Sequence, residues 1–92
     1  MLKLVSIDES PLKLKKWRAI FNDNTHTDFG QRGFSDFTIN KSEQKKANYI
    51  KRHKARENWN DPKTAGALSR FVLWNKPTLK ASIADYKKRF NL

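Results

Sequence analysis

Between Lys15 and Phe21 the side chains alternate in part, with Trp17, Ala19 and Phe21 on one side and Lys16, Arg18 and Ile20 on the other. A period of two with one mostly apolar face predicts a β-strand. The cluster Asn22-Asp23-Asn24-Thr25 predicts a turn after it, because Asn and Asp tolerate left-handed dihedrals and bond their own backbone. His26 to Phe29 then returns as the second strand of a hairpin. Leu2 to Ile7 offers a third strand, with Asp8-Glu9-Ser10-Pro11 as its turn. Gly30 and Gly33 bracket a further loop and read as backbone punctuation.

From about Ser42 the apolar spacing becomes helical. Asn40, followed three residues later by Glu43, is a variant of the capping box. The predicted helix runs to about Glu57, with Ala47, Ile50 and His53 or Lys54 on its buried side. That stripe is narrow. Lys45, Lys46, Lys51, Arg52 and Arg56 cover most of the remaining circumference, which therefore faces solvent or a partner. Asp61-Pro62 predicts a second helix start, with Asp61 as N-cap and Pro62 at the first helical position. Ala65, Leu68, Phe71 and Val72 follow the 3,4 spacing, and Trp74 lies near the end. Gly66 costs that helix up to about 1 kcal/mol relative to Ala, and its small size would permit close helix–helix approach. Pro77-Thr78 opens a third helix, where Leu79, Ile83, Tyr86 and Phe90 recur at helical spacing and Lys80, Lys87, Lys88 and Arg89 take the other faces. Its basic last turn suits the helix dipole.

The predicted fold class is α+β: an amino-terminal β-hairpin or small antiparallel sheet followed by three short helices. Ninety-two residues fit a single domain over 1–92, since two halves would each be too short to bury a core. Within it, residues 1–14 are an extension or extra strand, 15–40 the hairpin and loop, and 41–92 the basic helical part.

Charge changes the picture more than any other property. Twenty Lys and Arg face nine Asp and Glu, a net charge of +11. An excess of this size opposes folding by self-repulsion and points to an anionic partner. It is also unevenly placed: net +1 over residues 1–40, then +5 over 41–58 and +5 over 59–92. The absence of cysteine excludes disulfides and thiolate zinc sites. No apolar run reaches the roughly 20 residues that cross a bilayer, and the first residues do not read as a secretory signal. The reading is a soluble intracellular protein with no membrane partner. A membrane-surface helix fits poorly, because residues 43–57 lack a broad apolar face.

Several strings are distinctive: Lys15-Lys16-Trp17-Arg18-Ala19-Ile20-Phe21, Ser35-Asp36-Phe37-Thr38, the run from Tyr49 to Trp59, Thr64-Ala65-Gly66-Ala67-Leu68-Ser69-Arg70 and Trp74-Asn75-Lys76-Pro77-Thr78-Leu79. Over residues 15 to 92 the chain resembles an uncharacterised family of small basic proteins of nucleo-cytoplasmic large DNA viruses, the giant viruses of algae and amoebae. The resemblance carries no catalytic residue across. It implies a setting in the infected host cell and the virion, with residues 1–14 outside the pattern.

His26 and Asp28 share a strand face, and His53 and Glu57 share a helix face, so a metal or general-base site can be drawn from them. Nothing in the sequence brings the two pairs together, and structural roles are the expectation for both. Gly30-Gln31-Arg32-Gly33 is only a weak anion-loop candidate, and no catalytic or metal-binding motif is present. The expectation is a binding protein without enzymatic activity, cofactor or metal. Lys45, Lys46, Lys51, Arg52, Lys54 and Arg56, supported by Lys87, Lys88 and Arg89, would neutralise phosphates of nucleic acid, chiefly double-stranded DNA, without sequence preference. Trp59 and Trp74 read as core residues before they read as base-stacking ones. The alternative is a minor capsid protein that bridges larger, acidic capsid proteins through basic and aromatic surfaces. Oligomeric state is not encoded in any pattern here.

Overall fold

The computed structural model describes residues 1–92. Three strands, β1 (Leu4–Glu9), β2 (Lys15–Phe21) and β3 (His26–Gln31), form an antiparallel sheet in the order β1-β2-β3. The alternation in β2 puts Ala19 and Phe21 in the core, and the register sets Trp17 opposite Phe29 on the same face. β1 reaches that face by an irregularity. Leu4 pairs with Phe21 and Ile7 with Ala19, so three residues of β1 span two of β2. The extra residue lets Leu4 and Ile7, which strict alternation would send to opposite faces, both pack against the core.

The helical part is α+β as expected but differs in its detail. A short helix, α1 (Phe37–Asn40), precedes the basic helix and is capped by Asp36, whose side chain accepts from Thr38 N. The basic helix, α2 (Glu43–His53), is capped by Ser42, whose Oγ accepts from Lys45 N at 3.2 Å. Asn40, the expected cap, instead bonds Ser42 N through Oδ1 at 2.8 Å and turns the chain between α1 and α2. Tyr49 is the buried residue of α2, while Ala47 and Lys54 are exposed. Its ring stacks on Trp74 with centroids 4.7 Å apart and on His53 at 4.2 Å. Aromatic stacking, and not the aliphatic stripe that spacing suggested, therefore attaches α2 to the body. The helix also stops at His53, four residues before the expected end.

The second predicted helix starts late and changes pitch. Asp61 spends its Oδ1 on Lys63 N within a turn, so Thr64 caps α3 (Ala65–Leu68) through Ala67 N. Ala65, expected to be buried, is exposed. The helix continues as a π-helical segment, Ser69–Leu73, closed by Trp74 N donating to Ser69 O. This wider turn places Phe71, Val72 and Leu73 all in the core. Asn75 stops it, its buried Nδ2 donating to Phe71 O and to Asp85 Oδ2. Thr78 then caps α4 (Leu79–Phe90), whose Tyr86 is fully buried and donates its hydroxyl to Pro62 O at 2.6 Å.

Two glycines have structural reasons. Gly66 does not serve a helix–helix contact: a Cβ there would lie 2.7 Å from Glu57 Oε2, so the bare backbone makes room for that carboxylate. Gly30, inside β3, has φ +77°, and a Cβ there would meet Leu73 Cδ1 at 3.0 Å and Lys16 Cβ at 3.2 Å. Both the dihedral and the crowding oppose a side chain. Gly30→Ala is expected to destabilise by about 1–3 kcal/mol, read from urea unfolding midpoints. An unchanged midpoint would show that the strand can relax around the methyl group.

Candidate nucleic-acid interface

The acidic groups of the fold are mostly spoken for, and by cations outside α2. Lys16 pairs with Asp36 at 2.7 Å, Arg18 with Asp28 at 2.9 Å, Arg32 with Glu9 at 3.3 Å, and Lys63 with Asp23 at 2.7 Å. Arg89 lies 3.5 Å from Asp85 within α4. None of the Lys or Arg residues between 41 and 58 forms an ion pair, so the basic helix carries uncompensated charge. Lys45, Lys51 and Arg52 are exposed on α2, and Lys54 and Arg56 are exposed just beyond it.

Two of the residues chosen from sequence are turned to other work. Lys46 points inward, its Nζ donating to Asn75 O at 2.7 Å and lying 4.8 Å from the centre of the Phe37 ring. Its ammonium helps to hold α2 on the body. Arg89, besides its contact with Asp85, lies 4.5 Å over the Phe71 ring. Lys87 and Lys88 are exposed on α4. That helix packs against the π-helical segment, whereas α2 packs against α1 and Trp74.

A cleft of about 360 Å³ opens between the inner side of α2 and the end of the sheet. Lys15 and Gln31 come from the sheet, Phe34 and Ser35 from the loop before α1, and Arg52 from α2. Sequence reasoning missed this site, because its walls come from segments far apart in the chain. The legible signals were Arg52, chosen for its charge, and Gly30-Gln31 of the weak anion-loop candidate, both of which line it. Of the two acids in the wall, Asp36 is paired with Lys16, whereas Glu57 keeps its charge, accepting from the neutral Trp59 Nε1 at 2.8 Å and lying 3.1 Å from His53 Nδ1. Lys15 and Arg52 have no acidic partner.

The other histidine pair lies on the sheet, with His26 Nε2 3.8 Å from Asp28. Asp28 is used mainly by Arg18, which bonds both its oxygens, and by Ser10 Oγ at 2.7 Å. Burial pushes the Tyr49 hydroxyl up to about 12, reinforced by the charge of Glu57. Burial also lowers Arg70, helped by the nearby Arg89 charge.

Three carboxyls are held below the usual range. Asp23 falls to about 2 through bonds from Lys63 and Thr25, Asp28 is lowered by Arg18, and Asp85 by Asn75. Each therefore contributes stability above its unfolded value near about pH 4, lost as pH falls through the folded value. The melting temperature followed by circular dichroism should drop between pH 5 and pH 2, and drop less for Asp28→Asn. A profile with the same slope in both proteins would remove Asp28 from the account.

Residues 5–53 match the model of a family of unknown function (DUF5754), a span running from β1 to the last residue of α2. No curated protein and no solved structure matches the chain.

Proposed function

The chain belongs to this family of unknown function, DUF5754, and from that premise we propose that it binds double-stranded DNA through its phosphates, without sequence preference and without catalysis. The observation that carries the reading is the unpaired charge of α2. Lys45, Lys51, Arg52, Lys54 and Arg56 are exposed and form no ion pair, while the sheet's cations are largely paired within the fold. Five cations at helical or near-helical spacing can follow a phosphate backbone and release its counterions. Lys87 and Lys88 add a second exposed basic element. Sequence preference is not expected, because three of the five exposed cations, Lys45, Lys51 and Lys54, are lysines, which meet phosphates as point charges. The resemblance of residues 15–92 to small basic proteins of large DNA viruses supplies the proposed setting: the viral genome, during packaging or inside the virion.

Fluorescence anisotropy of a short labelled duplex, titrated at about 50 and 200 mM salt, tests the reading. Four to five phosphate contacts would weaken binding at least a hundredfold between those salts. Failure to bind at the lower salt would end it.

A second reading is favoured by a separate feature. Val5, Leu12, Leu14, Phe34 and Ile39 are all exposed apolar side chains in the amino-terminal part, where charge is nearly balanced. Exposed apolar side chains of this kind suit docking to another protein, as in a minor capsid protein wedged between larger, acidic capsid proteins. Retention on viral shells emptied of their genome would favour it. Loss together with the genome would favour the DNA reading.

A further inference from the structure

We propose that the cleft between the sheet and α2 holds one unpaired nucleotide of a single strand, its base stacked on Phe34 and its phosphate on Lys15 and Arg52. The proposal rests on the nucleic-acid reading above and narrows it: the chain prefers single-stranded to duplex DNA.

Phe34 lines the cleft yet leaves 63% of its surface in solvent, an unusual position for a phenyl ring in a folded domain. Its backbone is fixed, since Phe34 N donates to Gln31 O at 3.1 Å and the following Asp36 is tied to Lys16. An exposed ring on an anchored backbone is a ready stacking surface, and any base offers a π-face to it. Lys15, Lys16 and Arg52 face Asp36 and Glu57 across the lining, so the cleft keeps a net positive charge, and Lys15 and Arg52 are the cations there without an ion pair. One comes from β2 and the other from α2, and both line the same cleft. Gln31 and Ser35 supply hydrogen-bonding groups for a base edge. The space, about 360 Å³, lies within the range of small-ligand sites. Bases in a duplex are already stacked and paired, so only an unpaired nucleotide can enter without an unstacking cost.

The experiment uses the full chain with a 15-nucleotide single strand carrying one central 2-aminopurine, and with the matching duplex. The single strand should bind more tightly, with quenching of 2-aminopurine emission as its base stacks. Phe34→Ala should weaken the single strand about tenfold, the loss of one stacked base, while duplex affinity changes less than twofold. Because Phe34 is exposed, the variant should keep its wild-type melting temperature. Equal effects on both ligands, or no effect on either, would overturn the cleft assignment while leaving the duplex reading intact. If the wild-type chain binds neither ligand, the electrostatic reading fails by itself. Adenosine 5′-monophosphate is then titrated and followed by amide NMR: shifts at Gly30, Ser35 and Gly66 would support the cleft, and their absence would overturn it.

Discussion

Replacing Lys51, Arg52 and Arg56 together with Ala is expected to flatten the dependence of log K on log salt by roughly three units. Each of these residues is exposed and forms no ion pair, so its charge can meet a phosphate without breaking a contact within the fold. Each phosphate contact contributes about 0.9 to the slope. A fourfold change in salt would then alter affinity on the order of fiftyfold less in the variant than in the wild type. The effect on folding should be smaller. Lys51 and Arg52 lie in the last turn of α2, where cations help the helix dipole by about 0.3–1 kcal/mol each. Lys46→Ala is the control. Its ammonium is committed to Asn75 O, so its loss should lower the melting temperature and shift the slope by less than one unit. A triple variant with the wild-type slope would show that α2 does not touch the phosphates.

Asp36→Ala should destabilise the fold by about 3–5 kcal/mol, the range for removing one partner of a buried ion pair. Asp36 is 2% exposed, and the side chain of Lys16 opposite it is 11% exposed, so an ammonium would be stranded in a nearly dry site. The same carboxylate caps α1 through Thr38 N at 2.9 Å, so one substitution removes an ion pair and a helix start. A domain of this size has roughly 5–14 kcal/mol in total, so the variant should be partly unfolded at physiological temperature. Denaturant titration checks the magnitude. Adding Lys16→Met should restore much of the loss, since the unpaired charge is then gone. A single variant within 1 kcal/mol of wild type would mean that water or backbone carbonyls replace Asp36 as the ammonium's partner. The contact also shapes the cleft, because Asp36 anchors the loop that presents Phe34. The variant should therefore lose the preference for single strands along with its stability.

β2 and its hairpin turn were legible because their signals are local, whereas β1 runs on through Asp8-Glu9, expected in a turn, and β3 through Gly30 to Gln31, expected in a loop. In β2 the alternation of Trp17, Ala19 and Phe21 follows from backbone geometry, and the Asn22–Thr25 turn from side-chain chemistry within four residues. The helix starts were less legible, since several polar residues near each one can serve as caps. Ser42 and Thr64 won over Asn40 and Asp61, which bond within turns one step earlier. Tyr49 was overlooked as the anchor of α2 because its partner, Trp74, lies 25 positions away. No periodicity within the helix records that stack.

The chain's composition and order alone determined the class of fold, the excess of positive charge and its concentration after residue 41. These follow from properties that each segment carries wherever it is placed. Which cations remain free was decided only in three dimensions. Lys46 and Arg89 read like their basic neighbours in sequence, yet one bonds Asn75 and the other covers Phe71. Lys15 and Lys16 are adjacent and both line the cleft, yet only Lys16 is paired, with Asp36. An electrostatic surface is a sum over charges close in space, so pairing across the fold settles where the field survives.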